Sequence, residues 1–205
     1  MNIIVFGATG GTGRHVVRQA LEEGFEVTAF VRNPARLDMS HGKLRVVRGD
    51  ALHPDEVSAA IAGHDAVVSC LGSSQGLKPS TELQEMTRNI VNGMLEHGVE
   101  RIVYTASAGI DREIPGLGGK LIMYLLRHTL ADHRAAVELI RQRGLNYTIV
   151  RPLGLTNREL TGRYREAAEG VPPKSMSIPR ADVAHFILKA LQDPRYHRTS
   201  IAVAT

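Results

Sequence analysis

The heptapeptide "GATGGTG", Gly7 to Gly13, constrains this chain more than any other feature. It follows a short apolar run, "NIIVF", and opens "GRHVVRQALEEG", where Val16, Val17, Ala20 and Leu21 recur at helical spacing. Glycines at three-residue intervals are common, but between a strand and a helix they specify a turn that cradles phosphate. Gly7 permits the tight turn off the strand. Gly10 lets a pyrophosphate approach the backbone, and Gly13 lets the helix pack closely on the sheet. Gly11 completes the turn, and Thr9 and Thr12 can add hydroxyl donors. The helix N-terminus supplies unpaired N–H groups and about half a positive charge.

The rest of the 205 residues repeats the same alternation. "EVTAFV" and "KLRVVRGD" read as strands, and "PDEVSAAIAG" as a helix opened by Pro54. "DAVVSCLG" is a fourth strand. "STELQEMTRNIVNGMLEHG" is a helix that Ser80 or Thr81 can cap and Gly98 ends. The strand "RIVYTASA", a loop "GIDREIPGLGG", one helix to about Arg143 and the strand "NYTIVRP" follow. Near-continuous apolar strands alternating with helices predict an α/β fold: a Rossmann-like, doubly wound parallel sheet covered on both faces. The whole chain is expected to form one such domain. Residues from about 153 to 205, too few for an independent domain, are expected to form a cap on the substrate side.

Composition excludes several classes. At 43% hydrophobic and 22% charged residues the chain resembles ordinary globular proteins, not disordered ones. Its apolar runs fall short of the ~20 residues of a membrane span. The single cysteine, Cys70, sits in the apolar run "AVVSCL" and reads as a small core residue; no Cys/His cluster points to a metal. A cytoplasmic location is expected. The net charge of +4 is scattered and aromatic residues are only 4%, so neither a nucleic-acid nor a membrane partner is expected. A monomer or small homo-oligomer is the expected state.

The end of the second strand, "TAFVRNP", refines the ligand. A fold that binds NAD wants a carboxylate there for the adenosine ribose; this chain has Arg32, 19 positions after Gly13. A guanidinium pairs with a 2′-phosphate, which points to NADP(H) as cofactor. Arg36 and Arg14 can add charge. Asp50 can accept from the adenine amino group, with Ala51 beside it. Leu71 and Gly72 end the fourth strand where the chain passes close to a dinucleotide. Pro152 and Leu153 end the sixth strand and are expected to contribute to cofactor binding.

"GATGGTG", "FVRNPARL", "TRNIVNGMLEHGVERIVYTAS", "GLNYTIVRP" and "ADVAHFILKAL" together resemble the atypical short-chain dehydrogenase/reductase superfamily, in its NAD(P)H-binding, NmrA-like branch. With "LTGRY" and "SIPRADVAHFILKAL", the closest likeness is to the biliverdin-IXβ and NADPH-dependent flavin reductases. The resemblance implies hydride transfer from NADPH to a flavin or a related conjugated acceptor such as biliverdin. It implies Ser107 as an active-site serine near the nicotinamide. His133 stands where many atypical relatives have lysine, as in the biliverdin-reductase branch, and can orient or protonate an acceptor. Leu153 stands where the flavin and biliverdin reductases have histidine, and the loop between Ser107 and His133 is longer than in that branch.

Proton-relay chemistry is disfavoured. Four residues after Tyr104, Tyr124, Tyr147, Tyr164 and Tyr196 stand Ala108, His128, Arg151, Ala168 and Ser200, so no Tyr-x-x-x-Lys pair exists. Tyr124 and His128 are weaker candidates than His133. Two other readings stay open: a non-catalytic NADP(H) sensor acting through a partner, and a nucleotide-sugar epimerase or dehydratase.

Overall fold

The computed structural model describes every residue except Ser74 and Leu77. Strands β1 (Asn2–Phe6), β2 (Glu26–Val31), β3 (Leu44–Arg48), β4 (Ala66–Ser69), β5 (Arg101–Thr105), β6 (Asn146–Pro152), β8 (Arg165–Ala167) and β10 (Thr199–Ala204) form one sheet. Its order is β3-β2-β1-β4-β5-β6-β10-β8, all parallel except the antiparallel edge strand β8. Short strands β7 (Gly154–Thr156) and β9 (Ser177–Pro179) pair separately.

Side-chain alternation sorts the core into two layers. Ile3 and Val5 of β1 face helices α1 (Gly11–Glu22) and α6 (Arg180–Gln192). Ile4 and Phe6 face α2 (Pro54–Ile61), α3 (Glu82–Glu96) and α5 (Arg127–Gln142). The strand order reverses between β1 and β4, and the two glycine-marked ends meet there: a Cβ on Gly7 would lie 2.5 Å from the Cys70 carbonyl oxygen. A doubly wound sheet opens its binding crevice at such a reversal.

Two expectations need correction, and a third is narrowed to one of its two residues. The segment after Pro152 is not merely a cap. Its helix α6 packs on α1 and its last strand β10 extends the main sheet, because "ADVAHFILKAL" is apolar on too many sides to lie on the surface. The helix expected between the glycine-rich loop and Arg143 is two helices, α4 (Gly116–Leu125) and α5, broken at Leu126. Of the two expected caps of α3, Ser80 serves and Thr81 makes no side-chain cap. Ser80 Oγ accepts from the Glu82 amide at 3.0 Å, and the buried Asp132 carboxylate of α5 accepts from the Leu83 and Gln84 amides at 3.1 and 3.0 Å. A cap supplied 49 residues away leaves no local trace in the sequence.

Candidate cofactor and acceptor site

The glycine turn takes the form its residues require. Gly7 has φ +77°, a left-handed backbone that favours glycine, and its carbonyl accepts from the Gly10 amide at 2.9 Å. A Cβ on Gly13 would lie 2.2 Å from that same carbonyl, so the helix can come this close only without a side chain. Gly10 is the N-cap of α1 and has no side chain to cap with, so the first helical amides stay available to an outside anion.

A cleft of about 240 Å³ opens in front of this turn. Gly7, Thr9 and Gly10 form its floor. Arg32 borders it at the end of β2, Asp50 and Ala51 after β3, and Leu71 and Gly72 after β4. Arg32 is exposed and makes no hydrogen bond or ion pair among the described residues. Arg36 and Asn33 border the same corner, and Asn33 Oδ1 accepts from the Ala35 amide at 3.1 Å. Arg14 does not itself border the cleft. Its Nε donates to Thr9 O at 3.1 Å and its Nη2 to Arg36 O at 2.6 Å, bracing the glycine turn against the loop after β2. Asp50 Oδ1 accepts from the Leu52 amide at 3.1 Å.

The other predicted residues lie elsewhere. Gly11, Thr12 and Gly13 do not border the cleft itself and lie in the first turn of α1 behind its floor. Ser107, at the end of β5, donates to Ala108 O at 3.1 Å. The Ala108 amide donates to Pro152 O at 3.0 Å, so Ser107 and the end of β6 stand side by side. Leu153 packs with Ala108 and Ala204 in a small apolar cluster. Pro152 and Leu153 are buried beside Ser107, away from this cleft.

His133 is corrected more strongly. It is buried in the core, with Nδ1 3.0 Å from the Tyr104 hydroxyl and the two rings edge to face. Burial pushes its pKa down to about 4 and raises that of Tyr104, so both are neutral at physiological pH. An uncharged imidazole locked on a core tyrosine is not a surface acid facing an acceptor. The unfolded chain, with an ordinary value of 6.5, binds a proton between about pH 4 and 6.5 that the folded chain does not. Stability is therefore full above 6.5 and declines as pH falls toward 4. Thermal melts across that window are expected to show this slope, and His133→Gln to reduce it to what His15 and His197, also held low, contribute.

Cys70 packs against the core, as expected, and also borders the cleft, with Sγ 3.6 Å from Thr105 Oγ1. Burial pushes its pKa up to about 12, so the thiol stays protonated.

Three contributors were missed. Glu82 and Met86 of α3 border the cleft, one helical turn apart. Arg180, first residue of α6, lies over the glycine turn: a Cβ on Gly11 would be 2.7 Å from its Cδ and Nε. Its Nη1 donates to Asn157 Oδ1 at 2.6 Å. The periodicity that marks α6 as a helix carries no information that its N-terminus meets the turn 169 positions earlier.

The groups present suit a dinucleotide. Free helix amides and a side-chain-free floor match a diphosphate, and the guanidinium of Arg32 borders the same cleft at the end of β2. A family described as NAD(P)H-binding matches residues 7–194, and the chain belongs to it. An uncharacterized chloroplastic protein of Arabidopsis thaliana is 32% identical over 203 residues, covering 92% of this chain and 71% of the plant protein. The chain spans between about a third and seven-tenths of the length of the first curated relatives it matches. Among solved structures, a short-chain dehydrogenase/reductase of Veillonella parvula in complex with NADP superposes with a TM-score of 0.85 at 23% identity, covering 100% of this chain and 94% of that one. An anaerobillin reductase of Escherichia coli O157:H7 superposes with a TM-score of 0.80 at 21% identity, covering 100% and 97%. At those identities the two structures establish the shared fold.

Proposed function

We propose that this member of the NAD(P)H-binding family is an NADPH-dependent reductase that delivers hydride to a flat, conjugated acceptor, a flavin or a linear tetrapyrrole. The observation that carries the reading is Arg32, unpaired at the rim of the cleft with Arg36 beside it and Asn33 in place of a carboxylate. A 2′-phosphate there replaces the water around an exposed guanidinium with two charge-assisted hydrogen bonds. Gly7, Gly10 and the amides that open α1 hold the diphosphate, and Asp50 accepts from the adenine amino group. When bound, the nicotinamide supplies the hydride.

The protein's remaining task is alignment. Ser107 beside Pro152 offers a hydroxyl at the acceptor end, where a hydrogen bond orients either the nicotinamide amide or the acceptor. Neither a Tyr-x-x-x-Lys pair nor an available His133 supplies a proton. An acceptor whose proton comes from solvent suits such a site better than an alcohol or a sugar does. Mixing the protein with NADPH and riboflavin, FMN or biliverdin, and following the loss of NADPH absorbance, tests the reading. No turnover across that panel and a wider set of conjugated acceptors overturns it.

The withdrawal of His133 into the core also favours a second reading, an NADP(H) sensor that acts through a partner. Tight, discriminating binding of NADP+ and NADPH with no turnover separates it from the first.

Arg180 adds a cation beside the helix N-terminus, next to the diphosphate rather than the ribose phosphate. Arg180→Ala is expected to weaken NADPH and NADH alike, by roughly 1 kcal/mol, about fivefold, for a partly solvated charged hydrogen bond. Titration of both cofactors checks this; an effect confined to NADPH would remove Arg180 from the diphosphate.

A further inference from the structure

Helix α4 turns an apolar stripe outward. Leu117, Leu121, Tyr124 and Leu125 fall at i, i+4, i+7 and i+8, on one face, and are 85, 60, 63 and 53% exposed. Ile122 stands exposed beside them. The inward face is already filled: a Cβ on Gly119 would lie 2.7 Å from the Ile114 carbonyl oxygen, and one on Gly109 would lie 3.2 Å from Met123 Cγ. The stripe presents on the order of 500 Å² of apolar surface, the size at which a patch on a monomer marks a contact surface.

The surrounding charges choose the occupant. No acidic residue lies on α4. Lys120 sits on the helix, and exposed Arg112 precedes it. Arg127 follows, its guanidinium 4.6 Å from the Tyr124 ring centroid. The nearest acids in the chain, Glu113 and Asp111, face the buried Arg151 at 2.5 and 4.0 Å. Among the described residues, the charges on α4 and directly after it are cationic, and the two acids of the preceding loop are turned toward Arg151. A second copy packed on the same face about a two-fold axis would set Lys120 and Arg127 against their own images with no acid between them. An anionic lipid surface satisfies both components. Leucine and tyrosine enter the boundary between headgroups and acyl chains, and the long stems of lysine and arginine carry their charge back to the phosphates.

We propose that α4 docks this protein peripherally on an anionic phospholipid surface, with Leu117, Leu121 and Leu125 at the acyl boundary and Lys120 and Arg127 on the headgroups. This departs from the absence of a membrane partner expected from composition. Among the described residues no helix is long and apolar enough to cross a membrane, and this one has ten residues; it lies on the surface rather than through it. Met123, on the inward face, lies beside Gly109, two residues beyond Ser107, so α4 sits next to the loop that follows β5. The proposal stands apart from the reductase reading, and its test involves no turnover.

Flotation with vesicles of phosphatidylcholine alone, and of phosphatidylcholine mixed with phosphatidylglycerol, tests it. The protein is expected to float with the anionic vesicles and not with the neutral ones. Leu117→Glu/Leu121→Glu is expected to cut the bound fraction about tenfold, and Lys120→Glu severalfold. All three side chains are exposed, so melting temperature and NADPH affinity should be unchanged, which separates lost docking from lost folding. Failure to float with anionic vesicles overturns the proposal. So does binding that the double leucine variant leaves intact. A dimer in light scattering that the same variant dissolves overturns it too and assigns the face to self-association.

Discussion

Arg32→Ala is expected to raise the KM for NADPH by about 10- to 150-fold while changing that for NADH little, the signature of losing roughly 1.5–3 kcal/mol of charged hydrogen bonding. The selectivity follows from placement. Arg32 has no partner within the described protein, so its removal breaks nothing in the fold. Only the 2′-phosphate distinguishes the two cofactors, and only the corner held by Arg32 and Arg36 can read that difference. Arg32→Ala/Arg36→Ala should deepen the loss for NADPH and still spare NADH. Steady-state kinetics or direct titration with both cofactors decides the matter. Equal losses for the two would return Arg32 to the status of a surface arginine, and with it the preference for NADP(H).

The second large effect concerns stability. Arg151 of β6 is buried, and its Nη1 donates to Glu113 Oε1 at 2.5 Å and to Gly170 O at 3.2 Å. Its Nη2 donates to Ala168 O and Ser200 O at 3.1 and 3.3 Å. One guanidinium thus ties the loop after Ser107 to β6, the segment after β8 and β10. Arg151→Ala leaves a carboxylate and three carbonyls without their donor in a poorly hydrated place. Breaking a buried pair in this way costs about 3–5 kcal/mol. In a domain of this size that lowers the melting temperature by roughly 6–20 °C. Replacing both partners, as in Arg151→Met/Glu113→Leu, should recover part of the loss, because no orphaned charge remains. Calorimetry of the single and double variants checks both statements. A melting temperature within about 2 °C of the parent for Arg151→Ala would show that water reaches the pair.

Much of the fold was legible because its signals are local. Strand, glycine turn, helix and strand follow one another within the first 31 residues, and each is written in its own stretch of chain. The cleft was legible for the same reason. In a parallel doubly wound sheet the strand ends collect at one edge, so Gly7, Arg32, Asp50 and Leu71 could be brought together from topology alone. His133 shows where this reasoning stops. Its position on a helix was clear, but whether that side of the helix faced the acceptor or Tyr104 depended on how α5 is rotated against the sheet. Arg180 and Asp132 fail in the same way, since each acts on a helix or turn far away in sequence.

The sequence by itself determined the parallel sheet, the phosphate-cradling turn and the cation at the end of β2. Those features rest on glycine geometry, apolar periodicity and the fixed direction of strands. Only the tertiary structure decided that α6 and β10 belong to the main body, that His133 is withdrawn from the cleft, and that the leucines of α4 face outward. An apolar residue carries the same hydrophobic driving force whichever partner covers it, and only the packing of elements distant in sequence selects which face finds one.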